Sequence, residues 1–163
     1  MGVVLKKTTD QEVIQLHDIY AFSPEPDAPE RQFADLTDEE KQKALNAFRP
    51  KNHLTVWYNN EIVGFVGCYP DEKFIDINIF AVIVPIHRGK KYFSLALQAL
   101  IEYCRSQHSK HKQIRSLTRK SNIPAIRGLK SLSFNYAGVH TEEYDDKPEN
   151  DVEYEEYTLS VKI

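Results

Sequence analysis

The spacing of apolar residues along the chain changes repeatedly between the two-residue period of a strand and the helical period of about 3.6 residues. Residues 75–84 form the longest nearly continuous apolar stretch, which is typical of a strand covered on both faces. We therefore predict that this strand is central. The helix that follows it, over residues 92–107, carries its apolar positions on one stripe and is predicted to be largely buried.

Capping signals and turns divide the rest of the chain into further elements. Asp10 is predicted to cap a first helix, Thr37 opens a capping box for a second, and Asn122 caps a short helix near the C-terminal end. Three prolines within residues 23–29 predict a loop. Further strands are predicted at residues 3–7, 54–58, 62–69, 113–118 and 134–139, and from residue 152 onwards with a bulge at residues 155–156.

The order of these elements defines the fold class. It is strand, two helices, three strands, helix, strand, helix and two strands, which indicates an α/β protein with a mixed sheet of about six or seven strands flanked by helices. A chain of 163 residues, 41% of them hydrophobic, is long enough for one well-buried core. We predict a single domain over residues 1–163.

Charge and composition exclude several classes of function. A net charge of −3 disfavours a dedicated nucleic-acid binder, so an RNA-binding domain is a distant third interpretation. No apolar run approaches the ~20 residues that span a bilayer, and the first residues lack the apolar region of a signal peptide. These features predict a cytoplasmic protein that binds no membrane. The 2 cysteines, Cys68 and Cys104, are predicted to be buried and reduced, and no metal site is expected.

Between the central strand and the next helix, the sequence crosses a cationic glycine turn. Residues 83–97 read IVPIHRGKKYFSLAL, so the strand stops at a proline and the helix begins after a glycine. A helix start offers unpaired backbone N–H groups and the positive end of the macrodipole, and Arg88, Lys90 and Lys91 add charge beside it. The segment predicts an anion site; an ordinary strand-to-helix turn with solvated lysines is the other interpretation.

A second capped helix that runs into a strand follows at residues 121–134, which read SNIPAIRGLKSLSF. The two segments, with the element order of the whole chain, resemble the GNAT superfamily of N-acetyltransferases. In that superfamily the first segment has an Arg/Gln-x-x-Gly-x-Gly/Ala core that wraps the coenzyme A pyrophosphate, and the second supplies an asparagine and commonly a tyrosine general acid. Here Lys91 and Phe93 occupy the two core glycine positions, and Leu129 occupies the tyrosine position.

The resemblance implies acetyl-CoA as co-substrate and assigns its binding residues. The backbone of Ala81, Val82 and Ile83 would hydrogen-bond the pantetheine arm, and Asn122 would reach the pantetheine or phosphate region. The turn and helix start would supply amides to the pyrophosphate; these residues are Arg88, Gly89, Lys90, Lys91, Tyr92, Phe93 and Ser94. For the side chain of Phe93, a place in the core is favoured over stacking on the cofactor.

Two residues are predicted to be catalytic. Asp76 lies in the central strand, near where members of the superfamily often place an acidic base, although a solvated carboxylate is the alternative at a strand start. Because Leu129 has no ionisable group, an acid would be Tyr92, Tyr136 or water, or would be absent; Tyr136 is the predicted residue.

The function implied by the resemblance is transfer of an acetyl group from acetyl-CoA to a primary amine of a small molecule or peptide, by direct attack in a ternary complex. The alternative is a GNAT-like binding or regulatory module that is catalytically weak or inactive, which Lys91, Phe93 and Leu129 favour. Acidic residues in the stretch 142–151 are expected in a loop that either borders the acceptor groove or is simply solvated. The protein is expected to be a monomer or homodimer.

Overall fold

The computed structural model of the protein describes residues 2–21, 32–48, 53–71, 76–108, 110–142 and 152–161. Its elements follow the predicted order, with short 3₁₀ helices at Phe33–Asp35 and Pro85–His87 in addition. The strands are β1 (Val4–Lys7), β2 (His53–Tyr58), β3 (Glu61–Asp71), β4 (Asp76–Ile83), β5 (Gln113–Arg119), β6 (Asn135–Glu142) and β7 (Val152–Ser160). The helices are α1 (Asp10–Ala21), α2 (Asp38–Phe48), α3 (Tyr92–Gln107) and α4 (Ile123–Ser131).

The strands form one mixed sheet of seven strands in the order β1-β2-β3-β4-β5-β7-β6. This confirms the predicted fold class, and β4 is the central strand. Every neighbouring pair is antiparallel except β4 and β5, which are parallel. A parallel pair needs a crossover connection, and α3 supplies it.

Two hydrophobic clusters cover the two faces of the sheet. On one face, α3 and α4 bury a stripe that includes Leu97, Leu100 and Leu129 against the odd-numbered residues of β4. On the other face, Leu16 of α1 joins a smaller cluster with Phe80 and other residues of the sheet. Because successive side chains of a strand alternate between faces, β4 presents Ala81 and Ile83 to the α3 face and Phe80 to the α1 face.

Two of the three predicted helix caps agree with the structure and one differs. Asn122 caps α4, because its side-chain oxygen accepts from the Ala125 N–H at 3.4 Å. The capping box at Thr37 is confirmed, because its N–H donates to the Glu40 carboxylate at 2.8 Å and its hydroxyl accepts from the Glu40 N–H at 3.2 Å. In α1 the prediction of Asp10 as the cap is wrong. Thr9 forms the same reciprocal box with Glu12, at 2.8 and 3.3 Å.

The predicted bulge lies on a different strand. The register of β5 with β7 is regular through residues 155–156, whereas that of β6 with β7 shifts between Tyr136 and Gly138. The extra residue is therefore Ala137 of β6, opposite the point where the apolar phase of β7 changes. The predicted loop at 23–29 and most of the acidic stretch, residues 143–151, lie outside the described residues. No helix in the described part of the chain is long and apolar enough to cross a bilayer.

Candidate functional site

The sheet opens at its centre. β4 and β5 pair over four residue pairs, from Asp76 opposite Gln113 to Ile79 opposite Ser116. Beyond that point β4 continues to Ile83 paired with β3, and β5 continues paired with β7. In the described part of the chain, the edge of β4 that faces β5 therefore has no strand partner from residue 80 to 83, and its backbone groups there are available to a ligand.

A cavity of about 770 Å³ lies beside this gap, on the α3 face. The end of β4, the turn after it, the start of α3 and one side of α4 form its walls. All the predicted cofactor residues except Lys90 line it: Ala81, Val82, Ile83, Arg88, Gly89, Lys91, Tyr92, Phe93, Ser94 and Asn122. Segments that are separate in the sequence thus meet at one place.

The turn before α3 has the backbone shape that an anion site needs. Gly89 and Lys91 both have positive φ, at 79° and 65°. Lys91 is the N-cap residue of α3, and its side chain makes no capping hydrogen bond. The first-turn amides of α3 are therefore left for another acceptor, and the residues that carry them, Tyr92, Phe93 and Ser94, line the cavity at the positive end of the helix.

Lysine adopts the left-handed conformation at the position where the resemblance expects glycine. A residue with a Cβ pays about 1–2 kcal/mol for that conformation. The substitution thus keeps the shape of the turn at an energetic cost, and it adds a positive charge to the cavity.

Phe93 is accommodated by a glycine on the neighbouring helix. A Cβ built on Gly128 of α4 would lie 2.6 Å from Cδ1 and Cε1 of the Phe93 ring. Phe93 packs against the main core cluster and also lines the cavity. The ring therefore forms part of the wall between α3 and α4, in agreement with the core placement favoured above.

Positive groups dominate the lining of the cavity. Arg88, Lys91 and Arg127 contribute cationic side chains, and none of the described lining residues is acidic. The Arg88 guanidinium is fixed by a hydrogen bond from Nε to the Ile83 carbonyl oxygen, at 3.1 Å. This electrostatic environment suits a polyanionic ligand such as a pyrophosphate.

Six of the described lining residues were not predicted from the sequence, and two of them, Arg127 and His87, have basic side chains. Arg127 belongs to the wall because α4 turns that face toward the turn after β4. His87 lies between the cavity and the Glu61 carboxylate, which is 3.9 Å from its Nε2; its Nδ1 is buried without a hydrogen-bond partner among the described residues. The ring of His87 also meets that of Tyr92 edge to face, with centroids 5.8 Å apart. The position of His87 next to the Arg88 turn is the one sequence signal that pointed to it.

A family model for the acetyltransferase (GNAT) family matches residues 11–134. The chain belongs to this family. A sequence search of curated proteins finds no match.

Solved structures agree on the GNAT fold along nearly the full chain. A GNAT-family acetyltransferase from Bacillus anthracis superposes with a TM-score of 0.77 at 16% identity, covering 99% of this chain and 96% of that one. The protein yncA from Salmonella typhimurium, solved with its cofactor acetyl-CoA, gives 0.70 at 14% identity, covering 99% and 95%. Mutant forms of the spermidine/spermine N-acetyltransferase SpeG from Vibrio cholerae give 0.72 at 13% identity, covering 98% and 95%. At these identities the likeness establishes the fold alone.

The residues predicted to be catalytic in this GNAT protein do not line the cavity. Asp76 is at the other end of β4, in the part that is still paired with β5, and its carboxylate is 3.8 Å from Nη1 of Arg115. Arg115 also donates from Nε to Glu156 at 2.7 Å, and these carboxylates hold the pKa of its guanidinium above its usual value. Asp76 therefore sits in an ion-pair network on the α1 face.

Tyr136 lies on β6, at the edge of the sheet, and is 56% exposed. Its ring contacts that of Tyr157, with centroids 5.8 Å apart. β7 lies between Tyr136 and β5, so the structure does not bring this phenol to the gap. Leu129, at the tyrosine position of the family, is 1% exposed and belongs to the core. Tyr92 is thus the one predicted acid candidate among the described residues that lines the cavity.

Proposed function

We propose that the protein is an acetyl-CoA-dependent N-acetyltransferase that acts on a primary amine of a small molecule or peptide by direct attack in a ternary complex. The observation that carries this proposal is the cavity beside the gap between β4 and β5, where nearly all the predicted cofactor residues meet. Membership of the GNAT family supports it. The acetyl-CoA-bound relative from Salmonella typhimurium supports the choice of co-substrate.

Different residues of the cavity would bind different parts of the coenzyme. The free edge of β4 would hydrogen-bond the pantetheine arm as a strand would, through the backbone of Ala81, Val82 and Ile83. The first-turn amides of α3, with Arg88 and Lys91, would face the pyrophosphate. The Asn122 side-chain oxygen accepts from the Ala125 N–H at 3.4 Å, so its NH₂ group is the part that would reach the cofactor.

The reaction does not need an ionisable residue at the buried position 129. The nitrogen lone pair of the amine attacks the thioester carbonyl carbon, the carbon–sulfur bond breaks, and sulfur leaves with the bonding electrons. A thiol has a pKa of about 8.5, so the sulfur leaves as a thiolate or takes a proton from water near neutral pH. Deprotonation of the acceptor ammonium is then the proton transfer that most needs a protein group.

The second candidate function is a GNAT-like binding or regulatory module that is catalytically weak or inactive. Three observations favour it: the strained Lys91, the Phe93 ring in the cavity wall, and the burial of Leu129. This module would bind acetyl-CoA weakly or not at all.

Thermal unfolding with and without acetyl-CoA separates these functions first. A ligand at about 100 times its dissociation constant stabilises the folded state by about 2.7 kcal/mol, which raises the melting temperature measurably. Release of thiol from acetyl-CoA with a panel of primary amines then tests turnover. Stabilisation with thiol release supports the transferase. Absence of stabilisation, or stabilisation without thiol release by any amine, supports the module, and only the absence of stabilisation would remove the cavity as a coenzyme site.

Several features stay predictions from the sequence. They are the catalytic roles of Asp76 and Tyr136, the single domain over residues 1–163, the location in the cytoplasm, the absence of nucleic-acid, membrane and metal partners, and the state as monomer or homodimer.

A further inference from the structure

The two cysteines of the chain meet between β3 and the last turn of α3. Cys68 of β3 and Cys104 of α3 are both 0% exposed and belong to the main hydrophobic cluster, so the structure buries them as predicted. Both are reduced, and their thiols form a hydrogen bond with each other. The two sulfurs come from elements that are far apart in the sequence, and the packing of α3 on the sheet makes them neighbours.

The side chain of His108 covers this pair at the end of α3. Its Nε2 lies 3.7 Å from Sγ of Cys68. His108 is also the C-cap residue of the helix, and its N–H donates to the Cys104 carbonyl oxygen at 2.9 Å. The imidazole is half-buried, so on this side a single, partly exposed side chain separates the Cys68 sulfur from solvent. Because helix ends open more readily than helix interiors, a local movement of His108 would admit a small molecule to that sulfur.

The hydrogen bond between the thiols makes them unequal. It lowers the pKa of Cys68, against burial, which raises it. The same hydrogen bond, and secondly burial, raise the pKa of Cys104. Cys104 is therefore the donor of the pair and keeps its proton. Because the thiolate is the nucleophile in cysteine chemistry, Cys68 is the sulfur that reacts first.

His108 is in the right form to take a proton from Cys68. Burial, and secondly His111, lower the pKa of His108, so that its ring is neutral at pH 7 and one ring nitrogen is an acceptor. The His111 ring meets that of His108 edge to face, with centroids 5.7 Å apart. Tyr103 also lies beside His108, and burial followed by the two cysteines raises the pKa of its phenol, which therefore stays neutral.

We propose that Cys68 and Cys104 form an oxidation site, at which hydrogen peroxide converts the two thiols into a disulfide between β3 and α3. The Cys68 sulfur attacks one oxygen of the peroxide as its proton passes to Nε2 of His108. The O–O bond breaks, and the leaving hydroxide takes that proton and becomes water, so that Cys68 is a sulfenic acid. The Cys104 sulfur then attacks the Cys68 sulfur, the S–O bond breaks, and the hydroxyl group leaves with the Cys104 proton as a second water. Two thiols lose one electron each, and the peroxide gains both.

This site is separate from the coenzyme cavity. Cys104 lies about 18 Å along the axis of α3 from Tyr92, at the start of the helix, where the cavity is. The inference therefore does not depend on the proposed transferase function. In a reducing compartment a disulfide is usually transient and redox-sensing, so reversal by a thiol reductant is part of the proposal.

Treatment of the purified wild type with hydrogen peroxide tests the site directly. We expect the folded protein to lose both thiols and become about 2 Da lighter, because two hydrogens are removed. Peptide mapping should find the disulfide between Cys68 and Cys104 of the same chain, and a thiol reductant should restore both thiols. In guanidinium, where the fold no longer places His108 beside Cys68, the two cysteines should react with peroxide at similar rates.

Single substitutions test the order of the two steps. Cys104→Ser retains a hydroxyl that donates to Cys68 but removes the second sulfur, so a sulfenic acid should accumulate at Cys68 and be captured by dimedone. Cys68→Ser should leave Cys104 unoxidised at the same peroxide dose. His108→Gln should slow the oxidation of Cys68 about tenfold or more, as for a lost general base. His111→Gln is the matched control and should react at about the wild-type rate.

The wild-type result does not depend on any variant, and melting temperatures of the reduced proteins identify a variant that fails to fold. A folded wild type that keeps both thiols at a peroxide dose that oxidises the unfolded chain, or that forms disulfides only between chains, would overturn the site. Capture of dimedone by Cys104 in Cys68→Ser as fast as by Cys68 in Cys104→Ser would overturn the assigned order. Equal oxidation rates for His108→Gln and the wild type would overturn the role of His108.

Discussion

The ring of Phe93 on α3 fills the space that any side chain at position 128 of α4 would need, so that Gly128 and Phe93 are mutually dependent. The two residues join the helices that form the wall of the coenzyme cavity.

A double-mutant cycle measures this dependence. In the wild type, Gly128→Ala forces a methyl group into the Phe93 ring, and such overpacking typically costs about 1–3 kcal/mol of unfolding free energy. In a Phe93→Ala background the same change meets no ring and gains up to about 1 kcal/mol, because alanine is the better helix former. We therefore expect the effect of Gly128→Ala to change sign between the two backgrounds in urea unfolding. Equal effects in both would mean that the helices are not packed through this pair.

The cations of the cavity wall should differ in their contributions to coenzyme binding. Arg127 lines the cavity and Lys90, although adjacent in the turn to lining residues, does not. Arg127→Ala should weaken acetyl-CoA binding about tenfold, which corresponds to ~1.4 kcal/mol. Lys90→Ala, which removes the same charge from the protein, is the control and should leave the affinity near that of the wild type. Titration calorimetry distinguishes the two, and equal losses would show a diffuse charge effect instead of a contact.

A tyrosine restored to the family position should not restore an acid. Leu129 is 1% exposed within the core, so Leu129→Tyr must overpack its surroundings, at a cost of about 1–3 kcal/mol in unfolding free energy. We expect a lower melting temperature and no gain in kcat. An increase in kcat with a new descending limb at high pH would instead show that the tyrosine hydroxyl reaches the leaving sulfur.

Tyr157 should make stability fall in alkaline solution. Burial, together with its hydrogen bond to Glu155, raises the pKa of Tyr157 to about 12. The unfolded chain loses this proton near pH 10, while the folded state retains it. The contribution to stability is thus complete below pH 10 and is lost as the pH rises through 12. Thermal melts of the wild type should decline more steeply over this window than those of Tyr157→Phe; parallel declines would contradict the assignment.

The fold was predictable because its signals are local. Periodicity gave α3 its observed bounds, and a four-residue box located the start of α2 at Thr37. The cofactor residues from 88 to 94 are contiguous in sequence, so recognising the turn was enough to locate them. The bulge was harder to predict, since the change of apolar phase in β7 indicated residues 155–156, whereas the extra residue, Ala137, lies in the partner strand β6.

Contacts between side chains on the α1 face of the sheet were not predictable in the same way. His53 and Tyr69 meet because β2 and β3 pair in one particular register, and a shift of one residue would turn either side chain to the other face. Asp76 is held in an ion pair by Arg115, whose approach depends on the parallel register of β4 and β5. A single sequence contains no local signal for such registers. Contacts between side chains on different strands can therefore be identified only from the structure.

The short parallel pairing of β4 with β5 has a mechanical consequence. The sheet consists of two antiparallel blocks, one ending in β4 and the other beginning with β5, and their backbone seam is four residue pairs long. Amide hydrogens at this seam should exchange with solvent sooner than those within either block, because a few broken bonds free the blocks to twist apart about α3. A molecule bound across the gap would hold the two blocks together. Slower amide hydrogen exchange at residues 76–79 and 113–116 would then show that the molecule is bound, even if no reaction followed.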